Sequence, residues 1–141
     1  MLKVIDGLRT YDHANAKTEI PSQSINGTAV NSAGSLDMAD HRELIAVALA
    51  GAVTGTGVLT VQIQESNEAA ANFTNVTNAV LTLNTANTLK LHSVDWRKPA
   101  RKRYARLQAN TTNAVVVSAF SLAVGPKRLV SLADNAGQLD A

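Results

Sequence analysis

Residues 58–66 alternate between apolar and polar side chains, in the order Val58-Leu59-Thr60-Val61-Gln62-Ile63-Gln64-Glu65-Ser66. Successive side chains of a strand point to opposite faces, so Leu59, Val61 and Ile63 share one face while the intervening Thr and Gln side chains share the other. This period of two predicts a strand with one face in the core and one in water. Strands of that kind are typical of antiparallel sheets.

The segment before this strand is apolar without interruption from Leu44 to Val53, and a loop of Thr and Gly follows it at residues 54–57. Its Ala and Leu residues favour a helix, in which Leu44, Val47 and Ala48 would form one stripe. A buried strand that enters a Gly/Thr hairpin accounts for both the short apolar run and the loop. We therefore favour a strand over residues 42–53, with a helix as the alternative.

Further strand-like runs follow on the carboxyl side, separated by turns rich in Asn and Thr. Leu81, Leu83, Leu89 and Leu91 stand at even spacings, with residues 84–87 as a turn between the two pairs. The long central strands are predicted at residues 42–53, 58–66, 80–92, 101–109 and 114–124. Several strands spaced by turns predict an all-β fold, a single antiparallel β-sandwich of jelly-roll-like form.

A chain of 141 residues has the size of one domain. Residues 1–22 predict an extended N-terminal arm, because residues 12–17 have the composition of a loop and Pro21 interrupts a strand. The body is then residues 23–130, and the small and polar residues 131–141 predict a flexible C-terminal tail. The arm residues expected to contact a neighbour are Val4, Ile5, Leu8 and Tyr11.

The composition excludes several classes of protein. Aromatic residues make up 4% of the chain and charged residues 17%, against a usual ~25%, while Ala, Val, Thr and Asn are abundant. That mixture is unlike a disordered tail or a coiled coil, and it fits a β-rich body with polar turns. Since the chain has no Cys, disulfides, thiolate nucleophiles and Cys-bound metals are excluded.

The sequence predicts no association with a membrane. The longest apolar run, residues 44–53, is far shorter than the ~20 residues that cross a bilayer. The first ten residues lack the apolar stretch and the cleavage pattern of a signal peptide. We therefore expect synthesis in the cytoplasm.

Patterns typical of catalysis or metal binding are missing from the sequence. The three histidines, His13, His41 and His92, are far apart and have no metal-ligand spacing. The acidic residues lack the aromatic surroundings of a glycosidase cleft, and no serine lies in a G-x-S-x-G turn. We therefore predict no enzyme activity, no catalytic residue, no cofactor, no bound metal and no small-molecule substrate.

The net charge of +2 conceals an uneven distribution along the chain. Residues 97–133 contain no acidic side chain, and the remainder of the chain contains all eleven. The basic residues of that stretch are Arg97, Lys98, Arg101, Lys102, Arg103, Arg106, Lys127 and Arg128. Such segregation of charge bears on what a protein binds more than on how it folds.

Three interpretations of the basic residues between 97 and 106 stay open. They could grip phosphates of a nucleic acid, with Trp96 and Tyr104 stacking on its bases. They could be the solvated side of a strand and its entry loop, with no partner. They could also dock onto an acidic protein surface, where charges add specificity and association rate more than affinity.

Four segments of the chain form a pattern, namely residues 57–66, 73–76, 101–107 and 123–128. This pattern resembles small virion proteins of tailed bacteriophages, of the capsid decoration (cement) or minor head type. In those proteins a tvqlqeS strand is often followed by an F-t-d-v strand and an R-Y-v-R strand. The chain departs from them at residues 67–72, where relatives often have an Asp-Gly turn, and at Ala105, where they have a β-branched residue.

The resemblance implies a non-enzymatic virion structural protein, synthesised in the host cytoplasm and located on the capsid surface. Such a protein would bind between major capsid subunits and stabilise the shell, usually as a homotrimer, with its arm added as a strand to a neighbour. The eight basic residues would then contact the capsid or another acidic surface. The alternative functions are a nucleic-acid-binding module that uses residues 97–106 and a tail or head–tail component.

Overall fold

The computed structural model of the protein describes residues 15–126, and that range folds into nine β-strands with no helix. The strands are β1 (Asn15–Ile25), β2 (Val30–Asn31), β3 (Leu36–Asp37), β4 (His41–Val53), β5 (Leu59–Ser66), β6 (Thr74–Leu83), β7 (Thr88–Asp95), β8 (Tyr104–Thr111) and β9 (Val115–Pro126). Residues 1–14 and 127–141 lie outside the described residues. Within residues 15–126, no helix is long and apolar enough to span a membrane.

The strands form two antiparallel sheets that pack face to face. The four-stranded sheet has the order β1-β9-β4-β7. The five-stranded sheet has the order β2-β8-β5-β6, and β3 also pairs with β8. All of these pairs are antiparallel, and a core of mainly aliphatic side chains lies between the sheets. The predicted antiparallel β-sandwich is therefore confirmed.

The alternating strand β5 lies inside the five-stranded sheet, between β8 and β6. Leu59, Val61 and Ile63 are fully buried in the core, whereas Thr60 and Gln62 are half-buried on the opposite face. The alternation of apolar and polar residues thus predicted both the strand and the side of it that faces the core.

β4 is a strand, as predicted for residues 42–53, and it lies between β9 and β7. Leu44, Ala46, Ala48 and Ala50 are fully buried against the other sheet, so every second residue faces the core. A helix would instead have buried residues three and four positions apart. The apolar residues between them lie on the outer face of the sheet, which is why the run has no polar interruption.

The amino-terminal side of the sandwich corrects the boundary predicted at residue 22 between an arm and the body. β1 begins at Asn15 and pairs with β9, so residues 15–22 lie in the sheet. Ile20 is fully buried in the core, which gives this strand a reason to dock. Pro21 is tolerated because β1 is an edge strand and Pro21 lies where its register shifts. Residues 1–14, with Val4, Ile5, Leu8 and Tyr11, lie outside the described residues.

Two other strand predictions are wrong in their bounds. The region predicted over residues 80–92 forms β6 and β7, with the predicted turn at residues 84–87 between them and Asn87 in that turn at a φ of 56°, but both strands extend beyond the predicted bounds. β6 already begins at Thr74, because residues 76–79 form an irregularity within it and do not end it. The Gln62 amide nitrogen donates to the carbonyl oxygens of Val76 and Ala79, each at 3.0 Å, and holds this irregular segment to β5. The strand predicted from residue 101 begins at Tyr104.

Candidate functional site

The basic residues between 97 and 106 occupy the loop from β7 to β8 and the start of β8. The fold places a carboxylate beside three of them, although those carboxylates are remote in sequence or precede the basic stretch. The three ion pairs are Arg97–Asp95 at 3.0 Å, Arg101–Glu65 at 3.5 Å and Arg103–Asp37 at 2.7 Å. The charge segregation seen along the sequence is therefore partly cancelled in space.

Arg101 lies in an enclosed cluster and not on an open surface. Its side chain is 17% exposed, and that of its partner Glu65 is 8% exposed. Glu65 Oε2 also accepts a hydrogen bond from the Lys102 backbone N–H at 3.1 Å, and Trp96 Nε1 donates to the Lys102 carbonyl at 2.7 Å. Trp96 is buried, with the Arg101 guanidinium 5.9 Å from its ring centroid. The burial of Trp96 corrects its expected role as a stacking platform, whereas Arg101, which is paired with Glu65 and partly exposed, stays a predicted partner contact.

The side chain of Arg106 lies on the outer face of the five-stranded sheet, where it contacts residues of the same chain. Its guanidinium carbon lies 4.2 Å from the centroid of Phe73, and its Nε donates to Gln64 Oε1 at 2.8 Å. Burial lowers the pKa of Arg106 from its usual value. Gln64 in turn donates to Asn75 Oδ1 at 2.8 Å, which extends the network towards β6. These contacts make Arg106 part of an internal polar network and a poor candidate for contact with a partner.

The remaining basic side chains of this segment are more open. Arg103 donates two hydrogen bonds from Nε and one from Nη2 to the Asp37 carboxylate, and the side-chain bonding lowers the pKa of Asp37. Lys102 Nζ donates to Thr74 Oγ1 at 2.9 Å. The Lys98 backbone carbonyl accepts a hydrogen bond from the Arg101 N–H at 3.0 Å, and the Lys98 side chain is near enough to Asp95 to help lower the pKa of that carboxyl. Lys127 and Arg128 lie outside the described residues.

Two open cavities flank the loop that carries these residues. One, of about 310 Å³, lies between the edges of β6 and β7, and Lys98, Arg101 and His92 line part of it. The Nε atom of Arg101 is buried there without a hydrogen-bond partner. The other, of about 220 Å³, is lined by Arg42, Glu43, Ser93, Asp95 and Arg97. Both are small clefts lined largely by polar and charged side chains.

The second cavity holds a compact set of polar contacts. The Ser93 hydroxyl donates a short hydrogen bond to Glu43 Oε1. Arg97 donates to the Asp95 carboxylate from its backbone N–H and from two guanidinium nitrogens, at 2.9 to 3.1 Å. The hydrogen bond from the Arg97 side chain is the main reason why the pKa of Asp95 falls to about 2. The Asp95 carboxylate is therefore ionised over the whole physiological range of pH.

The residues considered for catalysis or metal binding do not converge. His41 is the first residue of β4, and His92 lies in β7. The two strands pair, but the residue of β4 opposite His92 is Ala46. Within residues 15–126, no three His, Asp or Glu side chains come close enough together to hold a metal ion. His13 lies outside the described residues.

The sequence reasoning missed an apolar surface on the outer side of the four-stranded sheet. Leu89 and Leu91 are 60% and 61% exposed. Their even spacing relative to Leu81 and Leu83 had grouped all four leucines in one strand pattern. We call this surface the apolar face and define it by the outward residues of three adjacent strands, which are Ile45, Val47, Leu49, Leu89, Leu91, Phe120 and Leu122. The sequence of β4 does indicate this surface, because its apolar residues occupy both faces of the strand. Strands of that kind are covered on both sides.

Comparison with known proteins identifies solved structures with a similar fold, but it does not assign the chain to a family. No protein-family model matches the chain, and no curated protein matches it in sequence. Among solved structures, the exported protein XepA of PBSX superposes with a TM-score of 0.57 at 19% identity, over 83% of this chain. The VP2 subviral particle of infectious bursal disease virus gives a TM-score of 0.55 at 8% identity over 81% of this chain.

A second structure from infectious bursal disease virus, its T13 viral particle, has a TM-score of 0.50 at 12% identity over 82% of this chain. The chain spans 39% of the XepA chain and 32% and 33% of the two viral chains. These likenesses establish a shared β-sandwich fold. That fold occurs in proteins from which viral particles are built.

Proposed function

We propose that the chain is a non-enzymatic structural protein of a viral particle, and in particular a capsid decoration protein that binds between major capsid subunits and stabilises the shell. The observation that carries this proposal is the apolar face. An exposed apolar patch of a few hundred Å² with a polar rim is often a functional site of contact with another protein. A chain with this feature works as a part of an assembly.

The fold supports the same proposal. Both viral-particle structures with this sandwich use it within longer chains, so the fold is compatible with a role in a protein shell. Three of the four segments that resemble phage decoration proteins, residues 57–66, 73–76 and 101–107, lie in or beside strands of the five-stranded sheet, whereas residues 123–126 of the fourth segment belong to β9 in the other sheet.

The open basic side chains supply a contact for the shell. Lys98 lines the cleft between β6 and β7, and Arg97 lines the second cavity. Lys102 and Arg103 directly precede Tyr104 at the start of β8. Charges at the rim of an interface act mainly on association rate and orientation, which suits docking onto an acidic capsid surface. We expect the shell contact on this end of the sandwich, and Lys127 and Arg128, which lie outside the described residues, stay predicted contacts.

A nucleic-acid-binding role has less support from the contacts. Trp96 is buried, Arg101 is paired with Glu65, and Arg106 is covered by Phe73. Most of the side chains expected to stack on bases or bind phosphates therefore already contact residues of the same chain. A tail or head–tail component is compatible with the same surfaces. Position on the particle separates that alternative from decoration.

The test is a binding experiment with undecorated, expanded shells of the phage that encodes the chain. The purified protein should bind them stoichiometrically and raise the temperature at which they break open. The double variant Lys98→Glu with Lys102→Glu should bind more slowly and with a shallower response to salt, because less attraction remains to be screened. Lys90→Glu, a charge reversal on β7, should bind as the wild type does. Absence of binding to shells, together with antibody labelling of tails, would contradict the proposal.

A further inference from the structure

We propose that the partner of the apolar face is a second copy of this chain, so that copies associate through their four-stranded sheets. The inference rests on the proposed function in one respect, namely that the apolar face is covered by protein. It adds the identity of that protein. It also leaves the five-stranded sheet and the basic end of the sandwich free for the shell.

The apolar face is continuous because its residues are neighbours in register. Val47 pairs with Leu91 on one side and with Phe120 on the other. Leu49 pairs with Leu89, and Ile45 pairs with Leu122. Adjacent strands lie about 4.8 Å apart, so these side chains touch across three strands. Four of the five large apolar side chains that are exposed in the described range belong to this face, and Val80 is the fifth.

The size of the apolar face makes it the centre of an interface. Three strands by three rows of outward side chains cover roughly 300 Å², from the spacings of a β-sheet. A stable interface buries about 800 Å² on each partner and surrounds an apolar centre with a polar rim. The apolar face fits the centre, and the charged cavity at its end fits the rim.

Electrostatics favours a like copy over a partner of one charge sign. The three rows contain Ser93 and Ser118 besides the apolar residues, and no ionisable side chain. The adjoining cavity has two cations, Arg42 and Arg97, and two anions, Glu43 and Asp95, so its formal charge is zero. Two copies can therefore bring these faces together without net repulsion.

The edge of the sheet supports association at the same place. β7 pairs with β4 on one side, and no strand within residues 15–126 pairs with its other side. An edge strand with exposed Leu side chains is prone to contact with another chain unless it is protected. Leu89 and Leu91, the most exposed apolar residues of the described range, lie on this strand. Covering the apolar face by a second copy would protect both the leucines and the edge.

Molar mass measured by light scattering and sedimentation equilibrium tests the inference on the whole chain. The wild type should have the mass of two or more copies. Leu89→Lys with Leu91→Lys should reduce the mass to that of one copy, since both side chains are already open to water and their change should spare the fold. Val80→Lys is the matched control, because Val80 is 42% exposed on the other sheet, and it should keep the wild-type mass.

A measurement on the wild type alone keeps the inference testable if the double variant fails to fold. Association through folded copies makes the unfolding temperature rise with protein concentration. A wild type that stays monomeric at about 100 μM, with an unfolding temperature independent of concentration, would overturn the inference and assign the face to the shell or to a terminal segment. A double variant that keeps the wild-type mass would overturn it as well.

The shell-binding assay separates this inference from the proposed function. Wild type that associates but does not bind shells would refute the decoration role and leave the inference standing. Wild type that binds shells as a monomer would do the reverse.

Discussion

Glu65 and Arg101 form an ion pair that closes one end of the sandwich, with Glu65 Oε2 3.5 Å from Arg101 Nη1. The pair joins β5 to the loop before β8 and lies against the buried Trp96. A charged side chain in such a place is stable only with its partner, because its hydration has been removed. The pair therefore belongs to the structural framework, although sequence reasoning assigned Arg101 to a partner surface.

Glu65→Gln should lower the free energy of unfolding by about 3 kcal/mol, because it leaves the Arg101 guanidinium partly buried without a counter-charge. Asp37→Asn is the matched control, since it breaks the ion pair of Asp37 with Arg103, in which both side chains are about half exposed. Exposed pairs contribute about 0–1 kcal/mol. Urea unfolding of both variants measures the difference. Equal losses would show that the Glu65–Arg101 pair behaves as a surface contact.

Asp95 should make the stability of the protein depend on pH between about 4 and 2. Its pKa in the folded chain is about 2, below the ordinary 3.8, so its contribution is complete above pH 3.8 and is lost as the pH falls towards 2. Asp95→Asn should flatten the decline of the urea midpoint over that range. Arg97→Gln should flatten it too, because the Arg97 side chain is the main cause of the shift. An unchanged decline in both variants would contradict this assignment.

Gly125→Ala should destabilise the protein more than Gly55→Ala does. Both glycines have a positive φ, 69° and 59°, which costs an Ala about 1 kcal/mol or more. A Cβ on Gly125 would also lie 2.6 Å from the Arg42 Nε, whereas a Cβ on Gly55 would meet nothing within 4 Å. We expect a loss of about 1 kcal/mol at Gly55 and about 2–4 kcal/mol at Gly125. Thermal and urea unfolding would detect the difference, and similar losses would show that Arg42 moves aside freely.

Leu81→Ala and Leu91→Ala should differ sharply although the two leucines occur in similar sequence patterns. Leu81 is buried in the core, so its truncation should cost about 3 kcal/mol. Leu91 is exposed, and its truncation should change the stability of the dilute protein by no more than about 0.5 kcal/mol. Urea unfolding at low protein concentration measures both. A large loss from Leu91→Ala under those conditions would mean that the residue packs within its own chain.

The strands were the part of the fold most open to prediction from sequence. The alternation in β5 is a local property of nine successive residues, and the structure keeps the same face buried. The apolar run at residues 42–53 was also predicted as a strand, because its short length and its Gly/Thr loop fit a hairpin better than a helix. The edge strand β1 was missed because its apolar residues are few and because Pro21 is tolerated only at a sheet edge with a register shift, which the sequence does not show.

The candidate site was less predictable, since its chemistry depends on residues that are remote in sequence. Glu65 and Arg101 meet because β5 and β8 pair, and Asp37 meets Arg103 because β3 pairs with the start of β8. A stretch that is purely basic in the sequence thereby becomes a partly neutralised surface. Among its described members, Arg97, Lys98, Lys102 and Arg103 are left open to a partner.

The amino-acid sequence was sufficient to predict antiparallel strands, because the period of two in side-chain polarity is a local property of strands such as β5. It did not determine which apolar residues form the core. Leu81 and Leu91 look alike in the sequence, but β6 and β7 belong to different sheets, so one leucine points between the sheets and the other away from them. The packing of the two sheets determines which face of each strand is buried. The apolar face consists of apolar residues that this packing leaves on the outside.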